Sequence, residues 1–137
     1  MIDLSSEKGA HVDERLRTDL ILWLGTVRPD GRPHLVPVWF LWDGSTILLF
    51  SIPENQKVRN LRQNNRVMAA LDDTYDGDDV VTLEGTAELL DDPNVKPTTV
   101  ADYVAKYANE LAEMGMSPER LAAEYSQAIR ITPTRFY

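Results

Sequence analysis

The residues best suited to chemistry in this chain of 137 residues lie in one short run, Asn55-Gln56-Lys57-Val58-Arg59-Asn60. Asn55 is a good helix N-cap, which leaves Gln56, Lys57 and Val58 as a first turn with unpaired amides. Those amides, the positive end of the helix dipole and the Lys57 ammonium together make a seat for a phosphate. A first-turn lysine is more often simply solvated. Here it opposes the dipole, and positions that break a local rule are disproportionately functional. At about 100° per residue, Val58 and Leu61 share a stripe that can pack on a sheet. Lys57, Asn60 and Asn64 fall on a neighbouring stripe, while Arg59 and Gln63 point elsewhere.

Other chemistries have little material. The chain has no cysteine, which excludes a disulfide framework, thiol catalysis and thiolate metal sites and makes a reducing compartment the default. Only His11 and His34 are available for a metal or triad site, so no metal ligands are assigned; His34 reads as a packed strand residue. The net charge of −8 argues against a nucleic-acid surface, which needs a continuous basic stripe. Lys57, Arg59, Arg62 and Arg66 concentrate positive charge in ten residues, which suits a small anion better than a polymer. The leader MIDLSSEKGAHVDE lacks a basic segment followed by an apolar run, and no apolar window reaches membrane-spanning length. The expectation is a cytoplasmic protein.

The elements that position the seat can be placed from turn chemistry and periodicity. Asp30-Gly31 and Asp43-Gly44 sit between β-branched and aromatic runs, where Asp-Gly tolerates the positive φ of tight hairpin turns. They separate strands at Ile21–Arg28, Pro33–Trp42 and Thr46–Ile52. Trp23 on the first is most simply core, although an indole beside a flat cofactor would look the same. The middle strand is apolar on both faces and must be covered twice, by a core and by a partner or ligand. Pro37 has no N–H for a ladder, so a bulge or edge is expected near that strand's middle.

Further strands are expected at Arg66–Thr74, Val80–Leu90 and Ala128–Tyr137, the last closing the sheet. Gly85 marks a bend or a close backbone approach, and the acidic turn 75–79 reads as solvated. His11–Leu20, with Val12, Leu16 and Leu20 at spacing four, predicts a helix lidding one end of a barrel. Thr98–Met114 predicts an amphipathic helix, and Ser117-Pro118 starts another that runs to about Tyr125. Leu121 and Tyr125 read as packing residues. The sum is a single domain, 1–137, with an N-terminal helical leader (1–20) and a helical connection (97–126) before the last strand. Its class is mainly β with helices, a six-stranded antiparallel barrel.

The runs TVRPDGRPHLVPVWFLWDG, LLFSIPENQKVRNLRQNNRV and VVTLEGTAEL, with the closing PTRF, resemble the split β-barrel flavin and deazaflavin oxidoreductases, the pyridoxamine 5′-phosphate oxidase-like superfamily. The similarity is greatest to the small actinobacterial branch that uses the deazaflavin coenzyme F420. It implies a homodimer with a cofactor in each groove between subunits. It implies ring contacts from Pro37, Val38 and Trp39, and ribityl and phosphate contacts from Phe50, Ser51, Ile52, Gln56, Lys57 and Asn60. The chain departs from true pyridoxamine phosphate oxidases: Val36–Trp42 carries no basic residue for FMN, and Arg130 and Arg135 do not reproduce that family's C-terminal segment.

The function implied is hydride transfer from reduced F420 to a small electron-poor acceptor, which needs orientation and exclusion of water rather than an acid or a nucleophile. No residue is therefore assigned a catalytic role. An FMN-binding oxidoreductase and a non-enzymatic flavin or deazaflavin carrier are the alternatives.

Overall fold

The structure is a computed structural model that describes residues 2–72 and 74–137. Among the described residues, seven strands and five helices follow one another as α1 (Glu7–Thr18), β1 (Leu22–Val27), β2 (Pro33–Val38), β3 (Leu41–Trp42), β4 (Ile47–Ser51), α2 (Gln56–Gln63), β5 (Arg66–Leu71), β6 (Thr82–Leu90), α3 (Ala101–Lys106), α4 (Ala108–Met114), α5 (Pro118–Glu124) and β7 (Gln127–Phe136). The strands form one antiparallel sheet in the order β2-β1-β5-β6-β7-β4-β3. Because β2 and β3 lie at opposite ends of that order yet are separated only by Trp39 and Phe40, the sheet must curl until its ends meet. This is the split barrel, with seven strands rather than the expected six.

The extra strand comes from the middle of the expected Pro33–Trp42 run, which breaks where the chain leaves one sheet end for the other. Pro37 sits in β2, the edge strand, where its missing N–H costs no ladder bond. Both Asp-Gly turns form, with Gly31 at φ 90° and Gly44 at φ 99°. At Gly85 the β6–β7 register shifts, and a Cβ there would lie 2.7 Å from the Thr132 carbonyl oxygen. Only glycine permits that approach.

Two apolar clusters share the sheet. Inside the curl, Leu16, Leu22, Leu24, Phe40, Ile47, Leu49, Val58, Ile129 and Ile131 are buried together, closed at one end by α1 through Val12 and Leu16. On the outer side of β4 and β7, Leu48, Phe50 and Ala128 pack against Tyr103, Tyr107, Leu111 and Leu121 from the helical connection. The strand buried on both faces within the chain is thus β4, not the β2 run. Trp39 and Leu41 reach the second cluster, but Leu35 is 63% exposed and Pro37 is also open. Trp23 is not core: it lies half-buried on the outer face and its indole N–H donates to Asp72 at 3.0 Å.

Local chemistry moves several element ends. Helix α1 starts at Glu7 because the Ser6 hydroxyl accepts the Gly9 amide at 2.9 Å, and it stops before Leu20, which stays partly exposed. Asp79, in the acidic turn, is bound to His11 at 2.9 Å and to Arg15 rather than freely solvated. The expected Thr98–Met114 helix divides at Tyr107, which has φ −107° and ψ 17°. Its hydroxyl accepts the Phe40 amide at 2.8 Å and lies 2.6 Å from the Leu20 carbonyl oxygen to which it can donate. These tertiary bonds hold the helix axis open at that residue.

Candidate functional site

Helix α2 begins where its sequence places it. Asn55 is the N-cap with an extended backbone, although its side chain makes no capping bond. Its carbonyl takes the amides of Val58 and Arg59, leaving those of Gln56 and Lys57 without a backbone acceptor among the described residues. Val58 and Leu61 are buried in the barrel, as their shared stripe requires. Asn60, fully buried, donates to the Thr26 hydroxyl on β1 at 2.9 Å and accepts from the Gln56 side chain at 2.7 Å. Gln56 also accepts from Arg59 at 2.7 Å. This amide chain pins the first turn of α2 to β1 and so fixes where Lys57 stands.

Lys57 is 8% exposed and has no ion pair or hydrogen bond among the described residues. Its burial lowers the ammonium pKa, with no carboxylate to restore it. An ammonium that loses part of its hydration without gaining a counter-ion is costly to keep. His34, on the inward face of β2 opposite Thr26, has its pKa lowered by burial and by the nearby charges of Arg28 and Lys57. Its Nδ1 is buried without a partner among the described residues. Positive potential collects at this end of the barrel, and nothing negative among the described side chains answers it at Lys57.

Lys57 lines a cleft of about 350 Å³ between the β2–β3 crossover and the helical connection. One wall is Ile21, Pro37, Val38, Trp39 and Phe50; the other is Tyr103, Met114, Met116, Leu121 and Tyr125. Among the described residues, Lys57 is the only charged one on the lining. The Trp39 indole stacks on Tyr107 with ring centroids 4.3 Å apart and planes within 5°. Lys106 secures the same corner: its ammonium donates to the Phe40 carbonyl at 2.8 Å and lies 3.7 Å from the Phe40 ring centroid. A flat, largely apolar group with one anionic end fits the cleft.

Of the residues expected at the site, Pro37, Val38, Trp39, Phe50 and Lys57 share this lining, whereas Ser51, Ile52, Gln56 and Asn60 lie off it. Ser51 is fully buried and donates to the Ile52 carbonyl at 3.0 Å, while Ile52 is 39% exposed. Sequence reasoning missed the second wall. Leu121 and Tyr125 read as packing, and both also face the cleft. The available signal was the unusual density of tyrosine and methionine between Tyr103 and Tyr125. No group of three or more potential metal ligands occurs among the described residues, and no described helix is long and apolar enough to cross a membrane.

The comparisons agree with this fold. The family model for pyridoxamine 5′-phosphate oxidase matches residues 9–137. An F420 reductase of known structure is 25% identical, with 91% of this chain and 94% of that one covered at a TM-score of 0.69. A conserved hypothetical protein of Mycobacterium tuberculosis is 30% identical, with 96% and 82% covered at a TM-score of 0.70. The haem storage protein of Vibrio cholerae shares the fold at 16% identity and a TM-score of 0.65, with 93% and 89% covered. The chain belongs to the pyridoxamine 5′-phosphate oxidase family of split barrels, a fold that accommodates flavins and deazaflavins.

Proposed function

We propose that this chain is a deazaflavin (F420)-dependent oxidoreductase acting on a small electron-poor organic acceptor. The observation that carries the reading is Lys57, a largely buried lysine whose ammonium has no counter-ion among the described residues, set beside the open amides of α2 on an aromatic-walled cleft. Lys57 and the amides of Gln56 and Lys57 would hold the cofactor phosphate, while Pro37, Val38, Trp39 and Phe50 would wall the ring system. Gln56 and Asn60 keep the first turn in register with β1, and Ser51 and Ile52 set the strand end that leads into it. When bound in reduced form, such a cofactor supplies a hydride to the acceptor. The protein's share is to orient the two molecules and to exclude water, which the apolar lining serves.

The 25% identity to an F420 reductase supports the choice of the deazaflavin over FMN. A homodimer is part of this reading. Leu35 and Met68, 63% and 46% exposed, border a second groove of about 620 Å³ on the outer face of β1, β2, β5 and β6. A second copy of the chain would cover them. Titration of purified protein with F420 and with FMN at one salt concentration tests the assignment, since bound FMN is yellow and a deazaflavin absorbs at shorter wavelength. Saturable binding of F420, followed by acceptor-dependent oxidation of its reduced form, is expected. Binding of FMN alone would replace the cofactor, and tight binding without turnover would make the protein a carrier.

A further inference from the structure

We propose that His34 makes the contact between two copies of this chain dependent on pH: the neutral imidazole permits the dimer and its protonation breaks it. The inference rests on the homodimer in the reading above and adds how that contact is regulated.

The outer groove is lined by His34 on the edge strand β2, by Leu35 and Met68, and across the sheet by Arg66 on β5 and Glu84 on β6. In the β5–β6 register Arg66 faces Thr86 and Met68 faces Glu84, so the two charged residues stand diagonally. Neither forms an ion pair among the described residues. A two-fold contact sets one patch against itself. An apolar surface that carries one cation and one carboxylate, both without counter-ions, is therefore complementary to its own copy.

On this lining the His34 ring is divided. Its Nδ1 is buried without a partner among the described residues, whereas Nε2, also unengaged, stays open. A buried nitrogen with no acceptor beside it is best kept as a bare lone pair, so the neutral ring carries its proton on Nε2. That N–H is free to donate to a carbonyl of the second copy. A further proton would sit on Nδ1, where nothing receives it. It would also add a charge among cations. Burial, then Arg28 beyond the facing strand β1 and Lys57 on α2, already lower the imidazole pKa. On its own hairpin Arg32 is paired with Asp30 at 2.8 Å. Across the groove Arg66 adds a cation, and Glu84, the one opposing charge there, accepts from the Tyr137 hydroxyl at 2.6 Å. A second copy removes the remaining water from the ring and disfavours its charged form further. The monomer thus takes up the proton more readily than the dimer. Dimerisation is at full strength above the range in which the monomer's imidazole titrates and weakens as pH falls through it.

Sedimentation velocity of wild type, His34→Gln and His11→Gln at about pH 7.5 and about pH 5.5 spans the range in which ordinary histidines titrate. Two imidazoles titrate per dimer, so the wild-type dissociation constant should rise about tenfold or more on acidification, with a ceiling of about a hundredfold per pH unit. Glutamine keeps an amide donor and takes up no proton, so His34→Gln should dimerise equally at both pH values. His11→Gln should behave as wild type. In a second measurement the two histidines are titrated by proton NMR in the wild-type dimer and in the Leu35→Glu monomer. His34 should titrate at higher pH in the monomer, with His11 as the control; if His34→Gln does not fold, this comparison decides alone. A His34→Gln dimer that still dissociates in acid, a dependence lost in His11→Gln, or equal His34 titration in dimer and monomer would overturn the proposal. A wild-type dimer insensitive to pH removes the switch and leaves the homodimer standing, whereas a wild type monomeric at both pH values removes both.

Discussion

Lys57 shows how a single residue can be poor for the fold and good for a ligand. Its ammonium gives up hydration without gaining a carboxylate, and burial alone depresses its pKa. Replacing it with methionine keeps the stem and removes the charge. Lys57→Met should therefore raise stability of the ligand-free protein by about 1 kcal/mol in a urea melt. Lys57→Ala should weaken F420 binding by about 1.5 to 3 kcal/mol in a fluorescence titration, as expected for a lost charge-assisted contact. Opposite signs in the two measurements would mark the site as one built for an anion. An unchanged dissociation constant would remove Lys57 from it. At this scale the sequence was informative, because a cation against the helix dipole in an acidic chain is visible without coordinates. The far wall of the cleft was not, since nothing in the neighbours of Tyr103, Leu121 or Tyr125 separates a cleft residue from a core one.

Among elements, the decisive junction is the Trp39-Phe40 crossover, held from the side by α3 and α4. Tyr107→Phe leaves the Phe40 amide buried without its acceptor, so it should cost about 1 to 3 kcal/mol in denaturant unfolding. It should also loosen the Trp39 wall. Lys106 lies against the same corner, where burial brings its pKa from 10.5 down to about 8, with Asp19 opposing the shift. In the unfolded chain the lysine keeps its proton up to the higher value. Between about pH 8 and 10.5 the unfolded state thus binds more protons, and stability contributed by this residue rises with pH across that window. Lys106→Met should flatten that part of the stability–pH curve in urea melts taken from pH 7 to 11. The Asn55 cap placed the start of α2, and the Asp-Gly pairs placed both hairpin turns at their glycines. Periodicity could not show that Tyr107 would divide a helix, because the bonds responsible reach Leu20 and Phe40, 87 and 67 residues away in sequence.

For the whole molecule, the outer face of β1, β2 and β5 is the surface to perturb. Leu35 and Met68 stand apolar and exposed around Gly25, whose missing side chain keeps the sheet surface low. Leu35→Glu should leave the monomer folded, since Leu35 contributes nothing to either core cluster. In sedimentation velocity it should convert a dimer into a monomer, with cofactor affinity falling in parallel if the groove between subunits completes the site. A wild-type protein that sediments as a monomer would remove the homodimer from the functional reading.

By itself the sequence determined what local rules control: the Asp-Gly turns, the start of α2, the glycine at the β6–β7 approach and a cation in the first turn of that helix. Each depends on a few adjacent residues and on backbone geometry that every chain shares. Only the tertiary structure decided that the Pro33–Trp42 run breaks and spans both ends of the sheet. It alone brought Tyr103, Met114, Met116, Leu121 and Tyr125 to face Pro37, Val38 and Trp39. Those outcomes depend on which distant groups satisfy one another when the sheet curls. The balance between burial and hydrogen bonding that selects them is struck between segments far apart in the chain.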